Sequence, residues 1–151
     1  MKKGIKFDNE TMELIRIFNS TTGVETLDCV ILSEPDGSER IIYMISRQDI
    51  QKALGKNGIN VKKLKEKLNK NIDLLVFSED LQRFIKYLLY PARVLKIEEQ
   101  TKPDGRRIIM VDVHPEDKGL AIGKNGRTIN KANIFVKRHF PIDSVIINTK
   151  T

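Results

Sequence analysis

The chain repeats itself at a spacing of 68 residues, and this duplication restricts its possible folds more than any other feature. The sequence Gly-Lys-Asn-Gly at residues 55–58 recurs without change at residues 123–126. Pro-Asp-Gly at residues 35–37 recurs at residues 103–105 with the same spacing. Several matches at one spacing indicate that one supersecondary unit occurs twice in tandem. We therefore expect two small domains of similar fold.

Hydropathy patterns predict the same order of elements in both copies, namely helix-strand-strand-helix-helix-strand. This order gives an α+β fold class, with a three-stranded sheet packed against helices in each domain, over residues 1–77 and 78–151. Ser46 and Ser78 are predicted to be the N-caps of the helices that follow them. The predicted segments are a helix over 9–20, a helix that contains residues 81–88 and ends before Pro91, and helices before and after each Gly-Lys-Asn-Gly sequence. Strands are predicted over 27–32, 40–45, 74–76, 94–97, 108–113 and 145–147.

The basic residues are concentrated around the two Gly-Lys-Asn-Gly sequences. The whole chain has 27 Lys and Arg against 20 Asp and Glu, a net charge of +7. Residues 52–70 hold seven lysines and one glutamate, and residues 118–138 hold six basic residues and no acid, so each segment carries +6. The remainder of the chain is net acidic, at −5. A solvated helix face usually interleaves acids with its bases, so this distribution favours a phosphate backbone as partner.

A Gly-x-x-Gly turn between two helices has a structural and a functional explanation. Structurally, glycine ends one helix and permits a sharp corner. Functionally, glycine lets another backbone approach closely, and the N–H groups that begin the next helix favour a phosphate. Lys56 and Lys124 add a positive charge at each turn. The charge distribution favours the functional explanation.

Residues 53–61 and 121–129 resemble the signature of KH domains, in which an apolar-Gly-x-x-Gly-x-x-apolar stretch joins two helices. The helix and two strands that precede each signature resemble the type II KH arrangement. This resemblance implies that each corner clamps about four single-stranded nucleotides through their backbone. Two type II units in tandem resemble the NusA family of transcription factors, and the length is similar to that of short archaeal NusA-like proteins. The predicted RNA-binding residues are Gly55, Lys56, Asn57, Gly58 and Lys62 in the first copy and Gly123, Lys124, Asn125, Gly126, Arg127 and Lys131 in the second.

The sequence contains no pattern typical of an enzyme. No nucleophile-plus-base spacing, P-loop or dinucleotide glycine pattern occurs, so we expect no catalytic residue, no cofactor and no enzymatic activity. Cys29 is the single cysteine and is expected to be a small core residue. His114 and His139 are expected to have structural roles, and we expect no metal site. Asp49 and Asp117 are expected to complement the dipole at the start of a short helix.

The main functional hypothesis is an RNA-binding factor of transcription elongation or termination that holds single-stranded RNA across both domains. The expected partners are single-stranded RNA, foremost the nascent transcript, and RNA polymerase or its elongation complex. No apolar run approaches the roughly 18–20 residues of a membrane span and no secretory signal is recognised, so we expect no membrane partner and a cytoplasmic location.

Two alternatives stay open at this point. The first is a KH-type RNA-binding protein of ribosome assembly or RNA processing. The second is a protein-interaction module in which one KH domain is degenerate. The first domain is the better candidate for degeneracy, because residues 1–77 carry only +2 whereas residues 78–151 carry +5.

Overall fold

A computed structural model describes residues 7–149, and the chain divides into two compact units. The first unit extends to Ser78 and the second begins at Glu79. Within the described residues, each unit contains one three-stranded sheet and three α-helices, in the predicted order. The outer limits of the two predicted domains, residues 1 and 151, lie outside the described residues. The predicted α+β fold class is confirmed.

In the first unit an antiparallel hairpin is extended by a parallel strand. The elements are α1 (Asn9–Thr22), β1 (Asp28–Ser33), β2 (Glu39–Ser46), α2 (Ile50–Leu54), α3 (Ile59–Leu68) and β3 (Asn71–Phe77). Strands β1 and β2 are antiparallel, with Cys29 opposite Tyr43, and β3 lies parallel to β2 on its other side. The pairing is parallel because two helices connect β2 to β3 and carry the chain back to the same end of the sheet.

The helices of the first unit cover one face of its sheet. Phe18 of α1 and Tyr43 of β2 are fully buried, and their rings stack with centroids 4.3 Å apart. The Tyr43 hydroxyl donates a hydrogen bond to the main-chain oxygen of Leu14 at 2.8 Å, so this buried polar group is satisfied. Burial raises the pKa of Tyr43. Leu64 of α3 and Cys29 of β1 belong to the same apolar cluster, which confirms the core position predicted for Cys29.

The second unit has the same topology. The elements are α4 (Leu81–Leu89), β4 (Val94–Thr101), β5 (Arg107–Val113), α5 (Lys118–Ile122), α6 (Arg127–His139) and β6 (Ser144–Ile147). Strands β4 and β5 are antiparallel, and β6 lies parallel to β5. Phe84 of α4 is fully buried and packs against Phe140, with ring centroids 5.7 Å apart. In this order of elements, α5 precedes and α6 follows the second Gly-Lys-Asn-Gly sequence.

The N-cap predicted at Ser78 is wrong, and Ser46 takes the predicted N-cap position without a capping hydrogen bond to any described residue. Helix α4 is capped by Asp80, whose carboxylate accepts a hydrogen bond from the Gln82 amide at 3.1 Å. Ser78 lies two residues before this N-cap position, so the aspartate takes the role predicted for the serine. Ser46 occupies the N-cap position of a 3-10 turn (Arg47–Asp49), but its hydroxyl forms no capping bond within the described residues. Helix α2 begins only after that turn, beyond the reach of Ser46.

Candidate nucleic-acid interface

The two Gly-Lys-Asn-Gly sequences form corners with nearly identical backbones. Gly55 ends α2 with φ 72° and ψ 176°, and Asn57 and Gly58 are left-handed with φ of 55° and 71°. The corresponding φ values in the second corner are 79° at Gly123, 56° at Asn125 and 75° at Gly126. In each corner, residues 56–58 or 124–126 form a single tight turn, left-handed at its last two residues, that leads directly into the next helix. We call these turns the first corner, residues 55–58, and the second corner, residues 123–126.

The first glycine of each corner is required by packing. A Cβ on Gly55 would lie 2.9 Å from Cγ2 of Ile59 and 2.9 Å from Nδ2 of Asn60. A Cβ on Gly123 would lie 2.4 Å from Oγ1 of Thr128 and 2.7 Å from the Thr128 main-chain nitrogen. The first turn of α3 or α6 therefore folds back over this glycine, which sets the angle of the corner.

The last glycine of each corner is not required by packing. A Cβ on Gly58 would have no described atom within 4 Å, and a Cβ on Gly126 would meet only Cγ2 of Ile129 at 4.0 Å. Both glycines are left-handed, a conformation in which glycine carries no steric penalty. The space beside them is open, so another molecule can approach the backbone closely there.

The main-chain N–H groups at the centre of each corner are available to an anion. The amides of Gly58 and Gly126 donate to the carbonyl oxygens of the first glycines, at 3.2 and 3.0 Å. Among the described residues, the amides of Lys56 and Asn57 donate to no main-chain oxygen outside their own turn. A single turn is too short to supply acceptors for its own first N–H groups. The corner thus presents main-chain donors without a described main-chain acceptor outside the turn, next to the start of a helix, where the helix dipole also favours negative charge.

The predicted polar and charged side chains lie around these corners. The side chains of Lys56, Asn57 and Lys62 are exposed in the first unit. Those of Lys124, Asn125 and Arg127 are exposed in the second unit, and Lys131 is half-buried. Arg127 and Lys131 are four residues apart on α6 and so lie on the same side of that helix. The structure places all the predicted site residues in the corners or within the first five residues of the helices that follow them.

The sequence analysis missed one lysine at this site. Lys131 has its repeat counterpart in Lys63, which is exposed on α3, whereas the counterpart of Lys62 is Asn130. The two predicted lysines are therefore not equivalent, whereas Lys63 and Lys131 occupy a position that, like the lysine of each corner, is basic in both copies. The 68-residue spacing was the signal that could have identified Lys63.

Part of each basic segment has a structural role. Lys67 donates a hydrogen bond to the Thr21 hydroxyl at 3.0 Å, and Lys70 forms an ion pair with Glu39 at 2.6 Å. In the second unit, the Lys118 ammonium donates to the main-chain oxygen of Thr149 at 3.1 Å. The net charge of +6 in each segment therefore overstates the charge that faces a ligand.

The second unit holds its short helix with an ion pair that the first unit lacks. Asp117, at the start of α5, accepts bonds from the Arg93 Nε and from the Arg93 main-chain N–H, both at 2.8 Å. The residues at the equivalent repeat positions are Asp49 and Glu25, which have the same sign of charge. In addition to the helix-dipole role predicted for it, Asp117 therefore makes a tertiary contact with Arg93, immediately before β4. This contact fixes the position of the helix that leads into the second corner.

We predict that the stability contributed by Asp117 disappears below pH 4. The Arg93 side chain and then its main-chain N–H lower the pKa of Asp117 from 3.8 to about 2. A carboxylate with a lower pKa in the folded state contributes its full stability above the unfolded pKa and loses it as the pH falls through the folded pKa. In thermal denaturation followed by circular dichroism, the melting temperature of the wild type should be higher than that of Asp117→Asn at pH 5. The two melting temperatures should converge towards pH 2. A constant difference across this range would contradict the assignment.

The remaining candidate residues have structural environments. His139 is buried in α6, and Nδ1 of His114 accepts a hydrogen bond from the Glu116 amide at 3.2 Å. Within residues 7–149, no group of three or more His, Cys, Asp or Glu side chains is placed to hold a metal ion. Over the same residues, no helix combines the length and apolar character needed to cross a bilayer.

Two units with this topology, each with a Gly-x-x-Gly corner between helices, define a tandem type II KH protein. Residues 81–150 match the protein family described as the NusA-like second KH domain. The crystal structure of APE1850 is similar over 94% of this chain and 100% of that chain, with a TM-score of 0.79 and 29% identity.

Relatives with curated names extend the match over nearly the whole chain. The probable transcription termination protein NusA of Thermoplasma acidophilum is 32% identical over 143 residues, which is 95% of each chain. The protein of the same name from Methanococcus vannielii is 33% identical over 128 residues, covering 85% of this chain and 70% of that protein. The chain belongs to the family of archaeal NusA-like KH proteins.

Proposed function

We propose that the chain is a non-enzymatic, RNA-binding transcription termination factor that holds single-stranded RNA at both corners. The observation that carries this proposal is the pair of matching corners, each with central amides that donate to no described main-chain oxygen outside the turn and with an open last glycine. An anion of any kind could bind such donors, but two copies suit a polymer with regularly spaced phosphates. The names of the relatives support transcription termination as the process.

The proposed sites follow the repeat. Each KH domain, over residues 1–77 or 78–151, would hold about four nucleotides, so that one strand of about eight nucleotides occupies both. The central amides of each corner would donate to phosphate oxygens, while Lys56 and Lys124 add charge beside them. Lys62, Arg127 and Lys131 would extend the contact along the helices. Single-stranded RNA is favoured over duplex because the Gly-x-x-Gly loop of KH domains clamps single-stranded nucleotides through their backbone.

The proposed setting is the cytoplasm, on the nascent transcript and in contact with RNA polymerase or its elongation complex. This setting can be tested by crosslinking in cells and sequencing the bound RNA. Enrichment of the 3′ regions of nascent transcripts is expected. Enrichment of ribosomal precursors instead would favour the role in ribosome assembly or RNA processing.

The binding itself can be measured by fluorescence anisotropy with purified protein. A labelled 12-nucleotide single strand and a duplex of the same sequence would be compared from 50 to 300 mM salt. We expect the single strand to bind more tightly, with a log–log salt slope of about −4 for six neutralised phosphates. Equal affinity for both, or no binding at 50 mM salt, would overturn the proposal.

A further inference from the structure

The residue that follows each corner differs in chemistry between the two copies. Ile59 begins α3 and Arg127 begins α6, and the 68-residue spacing makes them equivalent. Both side chains are exposed, and Ile59 keeps 42% of its surface accessible. Among the described residues of the first unit, Met12 is the other large apolar side chain with comparable exposure, at 45%. The position that is cationic in the second unit, Arg127, is therefore apolar in the first, where it is Ile59.

The backbone conformation is nearly the same at these two positions, so both side chains leave the chain in the same direction relative to their corners. Ile59 has φ −59° and ψ −35°, and Arg127 has φ −57° and ψ −45°. The preceding glycines agree equally well, with ψ of 21° at Gly58 and 15° at Gly126. Since the frames match, a ligand bound at both corners in the same way meets isoleucine in one unit and arginine in the other.

The Ile59 side chain lies against the corner itself. Its Cγ2 is 2.9 Å from the position that a Cβ on Gly55 would take. In the second corner, the nearest atoms to the equivalent position on Gly123 belong to Thr128. Both corners have a polar neighbour, Asn60 or Thr128, but the first corner adds the apolar surface of Ile59 where the second has a guanidinium.

We infer that the two corners contact different parts of one RNA strand, with Ile59 covering a nucleobase at the first corner and Arg127 pairing with a phosphate at the second. This inference rests on the proposed function and specifies the ligand group at each site. A branched alkyl group gains by covering an apolar ring face and gains nothing from a phosphate. A guanidinium matches phosphate with paired, charge-assisted hydrogen bonds. The first corner thus adds a base contact, and the second adds one further salt-sensitive ionic contact.

Exchange of the two residues tests the phosphate half of the inference. Arg127→Ile removes one ionic contact and Ile59→Arg adds one, so the log–log salt slope should change by about 0.7 in opposite directions. The slopes would be measured by anisotropy with the same 12-nucleotide strand. Unchanged slopes in both variants would overturn the inference.

An abasic strand tests the nucleobase half. We expect Ile59→Ala to weaken binding of ordinary RNA about fivefold, because a partly buried branched side chain is lost. The same variant should bind a 12-nucleotide strand with abasic residues as well as wild type does. Met12→Ala, an exposed apolar residue of α1 away from the corner, is the matched control and should change neither affinity. Equal weakening on both strands, or none on either, would overturn the inference.

The affinity of the wild-type protein for single-stranded RNA distinguishes failure of the proposed function from failure of this inference. If wild type binds no single-stranded RNA, the proposed function fails and the inference falls with it. If wild type binds but the exchanged variants and Ile59→Ala behave like it, only the assignment of base and phosphate contacts fails. Circular dichroism spectra and melting temperatures of all variants confirm that each is folded.

Discussion

Replacing the last glycine of each corner by aspartate will weaken single-stranded RNA binding about tenfold at each site. A tenfold loss corresponds to about 1.4 kcal/mol of binding free energy. Gly58 and Gly126 face open space, so the new side chain fits without displacing its neighbours. Aspartate tolerates the left-handed conformation better than most residues, so the fold should be retained. Its carboxylate would stand where the phosphate binds and repel it. The double variant should lose more than either single variant, by about a hundredfold if the two sites are independent.

The hairpin turns offer matched controls for these variants. Gly37 and Gly105 have φ of 89° and 91°, and a Cβ on either would have no described atom within 4 Å. Gly37→Asp and Gly105→Asp therefore change the charge, the conformation and the space in the same way, but away from the corners. They should keep wild-type affinity in anisotropy at moderate salt. If they weaken binding as much as Gly58→Asp and Gly126→Asp do, the effect is one of net charge and the clamp is not supported.

Gly123→Ala will destabilise the second unit by about 3 kcal/mol, the largest stability effect of any single corner variant. Its φ of 79° and ψ of 166° belong to a region that residues with a side chain hardly enter. The added Cβ would also lie 2.7 Å from the rigid main-chain nitrogen of Thr128. Both penalties act together, because the chain cannot relieve the clash without changing the corner. Urea denaturation followed by circular dichroism measures the loss.

Two other glycines provide the comparison. Gly126→Ala meets no close contact and has only the left-handed penalty, so we expect a loss of about 1 kcal/mol. Gly55→Ala should fall between them, because its close neighbours at 2.9 Å are side-chain atoms that can move. Equal losses in all three variants would contradict the distinction between a packed first glycine and an open last glycine.

Local patterns in the sequence predict the order of elements and the position of both corners. The strand predicted over 74–76 is Asn71–Phe77, so local hydropathy finds the strand but not its ends. Its polar first residues belong to the strand because they pair with β2, a tertiary property. The same limit explains the Arg93–Asp117 pair, which joins residues 24 apart along the chain. Contacts of this kind depend on how helices and strands pack against each other. Local patterns in a single sequence do not show that packing.

The site residues show the same division. The glycines and central residues of each corner were predictable, because few backbones other than a sharp turn need this pattern. Lys67 and Lys70 were indistinguishable from ligand-facing lysines by composition, since their bonds to Thr21 and Glu39 arise only in the folded unit. Ile59 was overlooked because an isolated apolar residue at a helix start has no distinctive pattern.

The parallel pairing of β2 with β3 and of β5 with β6 has a kinetic consequence. Each corner lies inside the crossover that joins two parallel strands, and the paired residues are far apart, as with Arg40 and Asn71 or Ile108 and Ser144. Closing such long loops is slower than forming a hairpin, because chain entropy is lost before the contacts form. The hairpins should therefore form first and the corners last. A refolding experiment that follows RNA binding should lag behind one that follows the hairpin, so that competence to hold RNA reports completion of each unit.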